Sequence, residues 1–374
     1  MAIRIRAITT QRLDIAMKKP IRMSFGEISR QHVMLVRISD HDGNEGVGEA
    51  CVMGGPYWNA DTIEAVEAII LTYAAPYLTG QVFEDLKAFS ARLTMLFRGN
   101  GSARCALEMA CLDLLGKVSC QSAAQLLGGA VREHIPVAWT LSSESAAIAI
   151  DQGEQAISER GHRMFKLKVG IQPAPAEVQL VEAVVRNFSG RATLLVDANQ
   201  AWTEAEARHI FPLLRDAGVN AVEQPVSGYD PLLMAILLQD YALPIIADEP
   251  LVNPGVAAMF CKLGSASGFA LKPQRDGGLF NTLQTASMAA NAGLACYGGT
   301  MLETSLGTSA WSSLYACVAD LRWGCELFGP LRLEDDIAIN RFVIKDGMLK
   351  VSDTPGLGIQ LDEERVTFLA SKAV

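Results

Sequence analysis

The stretch Phe165-Lys166-Leu167-Lys168-Val169-Gly170 alternates apolar and charged residues. This alternation predicts a short β-strand with both lysines on the same side. On a strand considered alone, such a pair is more often a solvated face than a site. The interpretation of the chain therefore depends on what the neighbouring strands carry.

Short apolar strands alternate with helices from about residue 135 onward. The eight predicted strands are 137–141, 165–169, 193–197, 221–225, 244–248, 268–272, 294–298 and 325–328. Repeated strand–helix units require a parallel sheet. A doubly wound open sheet is the competing architecture, but it usually brings a glycine-rich phosphate turn, and the chain has no GxGxxG or P-loop pattern. We therefore predict a barrel over residues 131–330.

The first 130 residues predict a separate α+β domain. Antiparallel strands are expected at 3–9, 32–39 and 46–50, and helices at 62–78 and 102–117. Two loops, at about 18–30 and 51–62, could cover a ligand, and the second carries Tyr57 and Trp58. Without the barrel argument, packing of these two aromatic residues into a domain interface would be the favoured interpretation. A hairpin at Asp346-Gly347 predicts that the tail, 331–374, returns to the first domain.

Carboxylates end three successive predicted strands of the barrel. Asp197 ends one, Glu223 the next, and Asp248 with Glu249 the third. Each acid alone is more often a helix N-cap or a surface residue. Because reactive groups of such barrels lie at the carboxyl ends of the strands, the three together predict a hard oxygen site for Mg²⁺ or Mn²⁺. The five histidines lie elsewhere, which argues against zinc or non-haem iron.

Lysines flank this acid cluster, with Lys166 and Lys168 on one side and Lys272 on the other. Side chains at i and i+2 begin about 7 Å apart, so their repulsion at an effective dielectric near 20 is roughly 2.4 kcal/mol. This repulsion predicts that one lysine pKa is lowered by roughly 1.7 units. Such a lysine could exchange a proton with carbon while a metal stabilises the resulting enolate.

The overall composition excludes several kinds of partner. The net charge of −9 provides no basic surface for nucleic acid. No apolar run reaches the roughly 20 residues of a membrane span, and the start of the chain does not resemble a signal peptide. The eight cysteines have no CxxC spacing, which is typical of thiols in a reducing compartment. We expect a cytoplasmic protein that binds a small molecule.

The chain resembles the enolase superfamily, and within it the muconate lactonising subgroup. The matching motifs, in the order of that superfamily, are Lys166-Leu-Lys168, Asp197-Ala-Asn199, Glu223-Gln-Pro225, Asp248-Glu249-Pro250, Lys272 and Glu303. A lysine base with Mg²⁺ is the pattern associated with this superfamily. The resemblance implies an α/β fold: a modified TIM barrel, (β/α)7β, with an N-terminal α+β capping domain completed by the C-terminal tail.

The same resemblance implies a reaction and a role for each residue. The substrate would be cis,cis-muconate or a substituted muconate, converted to a muconolactone through an enolate. Lys168 would deliver the proton, Lys166 would tune it, Lys272 would face the opposite side, and Glu303 would lie beside the reacting carboxylate. The implied metal ligands are Asp197, Glu223 and Asp248, supported by Asn199 and Glu249. Tyr57 and Trp58 would belong to the lid loop, and the assembly would be a homo-oligomer, often an octamer in similar enzymes.

One motif departs from the expected pattern, and other activities stay open. Lys272 is followed by Pro273-Gln-Arg275-Asp276, where the family more often has a small apolar residue, a lysine and an asparagine. An N-acylamino acid racemase or o-succinylbenzoate synthase would use the same scaffold. A Schiff-base aldolase would not need three strand-end acids. An inert binding homologue would not need the complete set of acids and lysines.

Overall fold

The computed structural model describes residues 2–23 and 26–373, arranged in three sheets with helices around them. The strands are β1 (Ile3–Met23), β2 (Gly26–Asp40), β3 (Glu45–Val52), β4 (Val82–Phe83), β5 (His134–Pro136), β6 (Trp139–Leu141), β7 (Met164–Lys168), β8 (Thr193–Asp197), β9 (Ala221–Glu223), β10 (Ile245–Ala247), β11 (Gly268–Leu271), β12 (Ala295–Gly298), β13 (Ile344–Lys345) and β14 (Met348–Lys350).

Helices separate the strands of the second sheet and cover the first. They are Ile63–Ala68, Ala75–Leu78, Leu86–Leu96, Gly101–Ser119, Ala123–Leu126, Ala146–Arg160, Ala174–Phe188, Glu204–Ala217, Pro231–Tyr241, Pro254–Leu263, Pro273–Asp276, Leu279–Asn291, Ser305–Ala316, Gly329–Arg332 and Glu363–Ala370. A π-helical segment, Ile69–Ala74, joins the first two. No helix among the described residues is long and apolar enough to cross a membrane.

The predicted barrel is confirmed. Strands β6 to β12 form a parallel sheet in sequence order, and Cys325 bridges Gly298 on one side and Val137 on the other. The Ala138 amide donates to the Cys325 carbonyl at 2.7 Å, and the Glu326 amide donates to the Gly298 carbonyl at 2.8 Å. The eighth predicted strand, 325–328, is thus reduced to bridges at one residue, which nevertheless close the ring.

Side-chain alternation along the strands connects the barrel core to the site. Residues two positions before Asp197, Glu223, Asp248 and Lys272 belong to one buried cluster inside the barrel, because every second side chain of a strand faces the same way. The inner cluster comprises Ala138, Leu195, Ala221, Ile246, Ala270, Ala295, Tyr297 and Trp323. Strand residues between them, such as Phe165 and Val196, belong to the larger core beneath the helices. The floor of the barrel is therefore packed, and the next inward position is free for chemistry.

The first domain is a four-stranded antiparallel sheet in the order β3-β2-β1-β4. The helix Gly101–Ser119 packs closely on β3. A Cβ atom at Gly48 would lie 2.2 Å from the Ala106 carbonyl oxygen, so only glycine permits this approach. The capping helix and sheet are thereby held at a fixed separation.

One expectation about this domain is corrected. Residues 18–30 are not a loop: β1 and β2 continue there as a hairpin that pairs Ile21 with Ile28, and residues 24 and 25 lie outside the described residues. The tail does return to the first domain, because its helix Glu363–Ala370 packs against β1. The tail hairpin that suggested this return pairs elsewhere, with Leu349 opposite Ile135 in β5. The second expected loop, 51–62, is irregular once β3 ends at Val52.

Candidate active site

The lysine pair lies at the carboxyl end of β7, as the strand alternation predicts. Lys166 is buried, and its Nζ donates to Glu223 Oε2 at 3.0 Å and to Glu326 Oε2 at 2.5 Å. Lys168 donates to Asp197 Oδ2 at 2.7 Å and to Asn199 Oδ1 at 2.8 Å. Both ammonium groups therefore form hydrogen-bonded ion pairs with carboxylates on other strands of the barrel.

These contacts make the expectation of a lowered lysine pKa wrong. Burial lowers the pKa of Lys166, but the carboxylates of Glu223 and Glu326 outweigh burial and raise the pKa well above its usual range. Burial also opposes the charge on Lys168, yet Asp197 raises its pKa by more than Lys166 lowers it. The repulsion between the lysines is real, but the attraction of the acids exceeds it.

Lys272 follows β11 on the other side of the acid cluster. Its Nζ contacts Asp248 Oδ2 at 2.5 Å and lies 4.2 Å from the ring centroid of Trp58, a cation–π contact. The ring thus brings one residue of the predicted lid loop over the lysine. Tyr57, in contrast, is 65% exposed and does not line the site cavity.

Arg275 accounts for the unusual motif after Lys272. Its buried guanidinium contacts a carboxylate oxygen of Asp248, donates to the Asp248 carbonyl at 2.6 Å and pairs with Asp276. Burial raises the pKa of Asp248, but Lys272 and Arg275 outweigh burial and lower it. Burial raises the pKa of Asp276 to about 6. Arg275, itself paired with Asp276, therefore holds Asp248 in position.

The three strand-end acids are brought together at the bottom of the site. Asp197, Glu223 and Asp248 are fully buried, and burial followed by repulsion from Asp197 and Asp248 raises the pKa of Glu223 well above its usual range. Glu223 Oε1 is buried without a hydrogen-bond partner. Such an oxygen is costly unless a cation or proton joins it.

The donor chemistry of these acids fits a hard divalent cation. As the side chains stand, however, the described residues contain no group of three or more His, Cys, Asp or Glu arranged to hold a metal. Each of the three acids is instead paired with a lysine: Lys168 contacts Asp197, Lys166 contacts Glu223, and Lys272 contacts Asp248. Metal ligation by the three acids stays a prediction.

Asn199 and Glu249 flank the acids, as predicted for supporting residues. Asn199 Nδ2 donates to Glu249 Oε1 at 3.0 Å, while its Oδ1 accepts from Lys168. Asn199 has a backbone φ of 43°, a left-handed conformation that asparagine tolerates better than most residues. Glu249 Oε2 is buried without a hydrogen-bond partner, and burial raises the pKa of this residue to about 7.

Glu303 does not reach the cavity. Its Oε2 accepts from Thr300 Oγ1 at 2.9 Å and from the Met301 amide at 3.0 Å, within its own loop. The preceding residue, Leu302, has a left-handed φ of 58°. This turn directs the carboxylate inward, where burial raises its pKa to about 7.

Glu326 is a site residue that the sequence analysis missed. It lines the cavity, pairs with Lys166, and accepts from Thr140 Oγ1 at 2.8 Å. The strand-end rule did not find it, because the predicted eighth strand runs from 325 to 328 and Glu326 is its second residue. The usable signal was that Glu326 is an acid on a predicted barrel strand.

A cavity of about 920 Å³ lies above the lysines, between the barrel and the first domain. Its walls include Lys168, Lys272, Trp58, Met53, Leu302 and Phe328. The hairpin formed by β1 and β2 contributes Ile21 and Glu27 to the same walls. The pocket therefore combines cationic groups with apolar and aromatic cover, which suits a small anionic ligand.

Glu49 links the first domain to the seventh strand–helix unit. Its carboxylate accepts from the Thr304 amide at 2.9 Å, from Thr304 Oγ1 at 2.6 Å and from the Gly307 amide at 3.1 Å. These donors form the first turn of the helix Ser305–Ala316, whose positive end attracts a carboxylate. The acid is fully buried, and burial raises its pKa to about 7.

A capped parallel barrel with lysines and carboxylates at its strand ends defines an enzyme of the enolase superfamily type. The sequence comparisons agree, since residues 6–128 match the mandelate racemase / muconate lactonizing enzyme N-terminal domain and residues 149–365 match the enolase C-terminal domain-like family. The chain belongs to the mandelate racemase / muconate lactonizing enzyme family, which confirms the family predicted from its motifs.

Relatives with described activities match this chain over nearly its whole length. It is 38% identical to muconate cycloisomerase 1-1 of Acinetobacter lwoffii, over 98% of this chain and 96% of that protein. It is 35% identical to a chloromuconate cycloisomerase of Cupriavidus necator, over 97% and 98% of the two chains. The solved structure of a Pseudomonas fluorescens muconate lactonizing enzyme complexed with muconolactone matches with a TM-score of 0.96 and 37% identity, over 99% and 100% of the chains.

Proposed function

We propose that this protein is a muconate cycloisomerase that converts cis,cis-muconate, or a substituted muconate, to a muconolactone with a divalent metal. The observation that carries the proposal is the full-length likeness to the muconate lactonizing enzyme complexed with muconolactone. The named relatives are muconate and chloromuconate cycloisomerases, which favours this activity over the racemase alternative. Fold alone would not distinguish the two, because one scaffold hosts many reactions.

Proton delivery is assigned to Lys168. Its ammonium lines the cavity and is oriented by Asp197 and Asn199, which accept two of its hydrogens. The group can therefore present its remaining hydrogen to a substrate carbon. Lys166 lies deeper, anchored by Glu223 and Glu326, and acts by positioning the acids around Lys168.

Asp197, Glu223 and Asp248 would hold Mg²⁺ or Mn²⁺, with Asn199 and Glu249 in support. The unpartnered, buried Oε1 of Glu223 supports this assignment. The metal when bound would supply Lewis-acid stabilisation of negative charge on a substrate carboxylate. The superfamily's cycloisomerases depend in general on a divalent metal, and the choice between the two ions belongs to this proposal.

The opposite wall holds and shields the substrate. Lys272 faces the cavity beneath the ring of Trp58, so that the substrate carboxylates meet cations from two sides. Phe328, Leu302 and Met53 supply apolar cover that excludes water from the reacting carbons. Together these residues suit a flat, unsaturated diacid.

We also propose that the enzyme works in the cytoplasm as a homo-oligomer. All eight cysteines are free thiols, which suits a reducing compartment. The oligomer, with the octamer as its expected form, rests on the family resemblance.

The test is the loss of ultraviolet absorbance of cis,cis-muconate. We expect rapid loss with Mg²⁺ or Mn²⁺, no loss after EDTA, and recovery when metal is restored. Metal-independent turnover would contradict the metal assignment. No turnover at all would instead direct the assay to N-succinylamino acids, with deuterium exchange at the α-carbon reporting a racemase.

A further inference from the structure

Arg332 is a cationic residue of the cavity wall that the proposed function has not used. It ends the short helix Gly329–Arg332, just beyond the eighth strand position of the barrel, and it lines the same cavity as Lys168 and Lys272. The roles proposed for the lysines and for the metal-binding acids give Arg332 no function.

Aromatic stacking fixes the guanidinium in place. Its Cζ lies 4.4 Å from the ring centroid of Trp139 and 5.4 Å from that of Phe328. Its Nη2 donates to the Thr140 carbonyl at 2.7 Å, whereas Nε is buried without a hydrogen-bond partner. The guanidinium is thus held by contact with two aromatic rings and by the hydrogen bond from Nη2. Its other N–H donors can bind a ligand.

The acid that attracts Arg332 already has other partners. Glu326 attracts Arg332, but its Oε2 accepts from Lys166 and its Oε1 accepts from Thr140. No ion pair to Arg332 forms among residues 2–23 and 26–373. Burial lowers the pKa of Arg332 to about 10, which leaves it cationic at neutral pH. A largely buried guanidinium without a carboxylate partner is a ready site for an anion.

The position of Arg332 in the ring sets its distance from the acids. It follows the eighth strand position and binds the Thr140 carbonyl on β6, at the seam where the barrel closes. Strand β9, which carries Glu223, is four strands from Cys325 in either direction. A ligand that spans the cavity from the acid cluster can therefore meet Arg332 at its other end.

We propose that Arg332 forms a second carboxylate-binding site, which holds the end of a dicarboxylate substrate away from the metal-binding acids. This inference rests on the proposed function, because muconate carries one carboxylate at each end. The held carboxylate is the one that closes the lactone ring and loses its negative charge in doing so. Arg332 therefore stabilises bound substrate more than the transition state, and its loss raises KM rather than lowering kcat.

The test compares a diacid with a monoacid of the same length. Adipate and hexanoate are titrated calorimetrically into the Mn²⁺-loaded protein, for the wild type, Arg332→Met and Arg332→Lys. We expect Arg332→Met to weaken adipate binding about 10- to 100-fold, the loss of a charge-assisted hydrogen bond, and to leave hexanoate within about twofold. Arg332→Lys should restore part of the difference.

Arg160→Met is the matched control, because Arg160 also lies over the Trp139 ring, at 5.8 Å, but does not line the cavity. It should leave both affinities unchanged. Equal weakening of adipate and hexanoate by Arg332→Met would overturn the proposal, since it would indicate a purely structural residue.

Kinetics separate this inference from the proposed function. With muconate, Arg332→Met should raise KM about 10- to 100-fold without lowering kcat. Normal muconate turnover with unchanged adipate binding in Arg332→Met would refute the subsite alone. Arg332-dependent adipate binding in a protein that does not convert muconate would refute the proposed function and support the subsite.

Discussion

The wild-type protein is expected to lose stability as pH rises to neutral and above, because buried Glu49 ionises. Replacing Glu49 by glutamine is expected to abolish this loss. Glu49 is fully buried on β3, where it accepts hydrogen bonds from Thr304 and Gly307. An amide oxygen at position 49 can accept the same two backbone bonds. The substitution therefore removes an ionisable proton while keeping most of the contact between the first domain and the helix Ser305–Ala316.

The size of the effect follows from the pKa of Glu49. Burial raises this pKa from 4.5 to about 7, although the donors of Thr304 and Gly307 work in the opposite direction. Because the folded pKa is higher, the folded state retains the proton while the unfolded chain has lost it. Stability thus falls as pH rises from 4.5 to about 7 and then levels off. At about 1.36 kcal/mol per pH unit, the wild type loses about 2.5 kcal/mol between pH 5 and pH 8 through this group.

Unfolding at pH 5 and pH 8 measures this contribution. Glu49→Gln should gain about 2.5 kcal/mol relative to the wild type between the two pH values, which corresponds to roughly 3 °C in Tm for a chain of 374 residues. Glu45→Gln is the control, because Glu45 is an exposed carboxylate at the start of the same strand. Parallel pH profiles for the wild type and Glu49→Gln would refute a buried, proton-retaining Glu49.

Three further substitutions test other parts of the structure. Lys168→Ala should reduce muconate turnover about 10²- to 10⁴-fold, the usual value of a positioned acid or base, with an unchanged circular dichroism spectrum; full activity would overturn its assignment as proton donor. Trp58→Leu should raise KM about tenfold through the lost cation–π contact with Lys272, measured in the same absorbance assay, and an unchanged KM would show that the ring is dispensable. Gly307→Ala should lower stability by about 1–3 kcal/mol in chemical unfolding, because the new Cβ would lie 2.4 Å from Glu49 Oε1; an unaltered midpoint would show that the junction relaxes freely.

The parts of the site that sequence predicted are those governed by strand alternation. Asp197 and Glu223 pair in register on β8 and β9, and Lys168 pairs with Asp197 on β7 and β8. Once the parallel barrel is recognised, the pleat alone brings these residues together. The inner cluster beneath them follows from the same period of two.

Features that depend on backbone turns or distant partners were not predictable in this way. The direction of Glu303 depends on the left-handed conformation of Leu302, which the residue type does not announce. The hairpin at 18–30 was mistaken for a loop because Lys18, Lys19 and Pro20 interrupt the apolar alternation, at the place where the pairing register shifts. The raised lysine pKa values depend on distances to acids that no spacing in the sequence provides.

The seam of the barrel carries one of its most important charges. The barrel closes there through isolated bridges at Cys325 instead of a continuous strand ladder. The next residue, Glu326, accepts a hydrogen bond from the Lys166 ammonium at 2.5 Å. A brief local opening at this seam would move Glu326 away from Lys166 without disturbing the other seven strands. Amide hydrogen exchange at Glu326 would therefore be faster than on β8 or β9. The charge next to the lysine pair would change each time the barrel opens locally at Cys325.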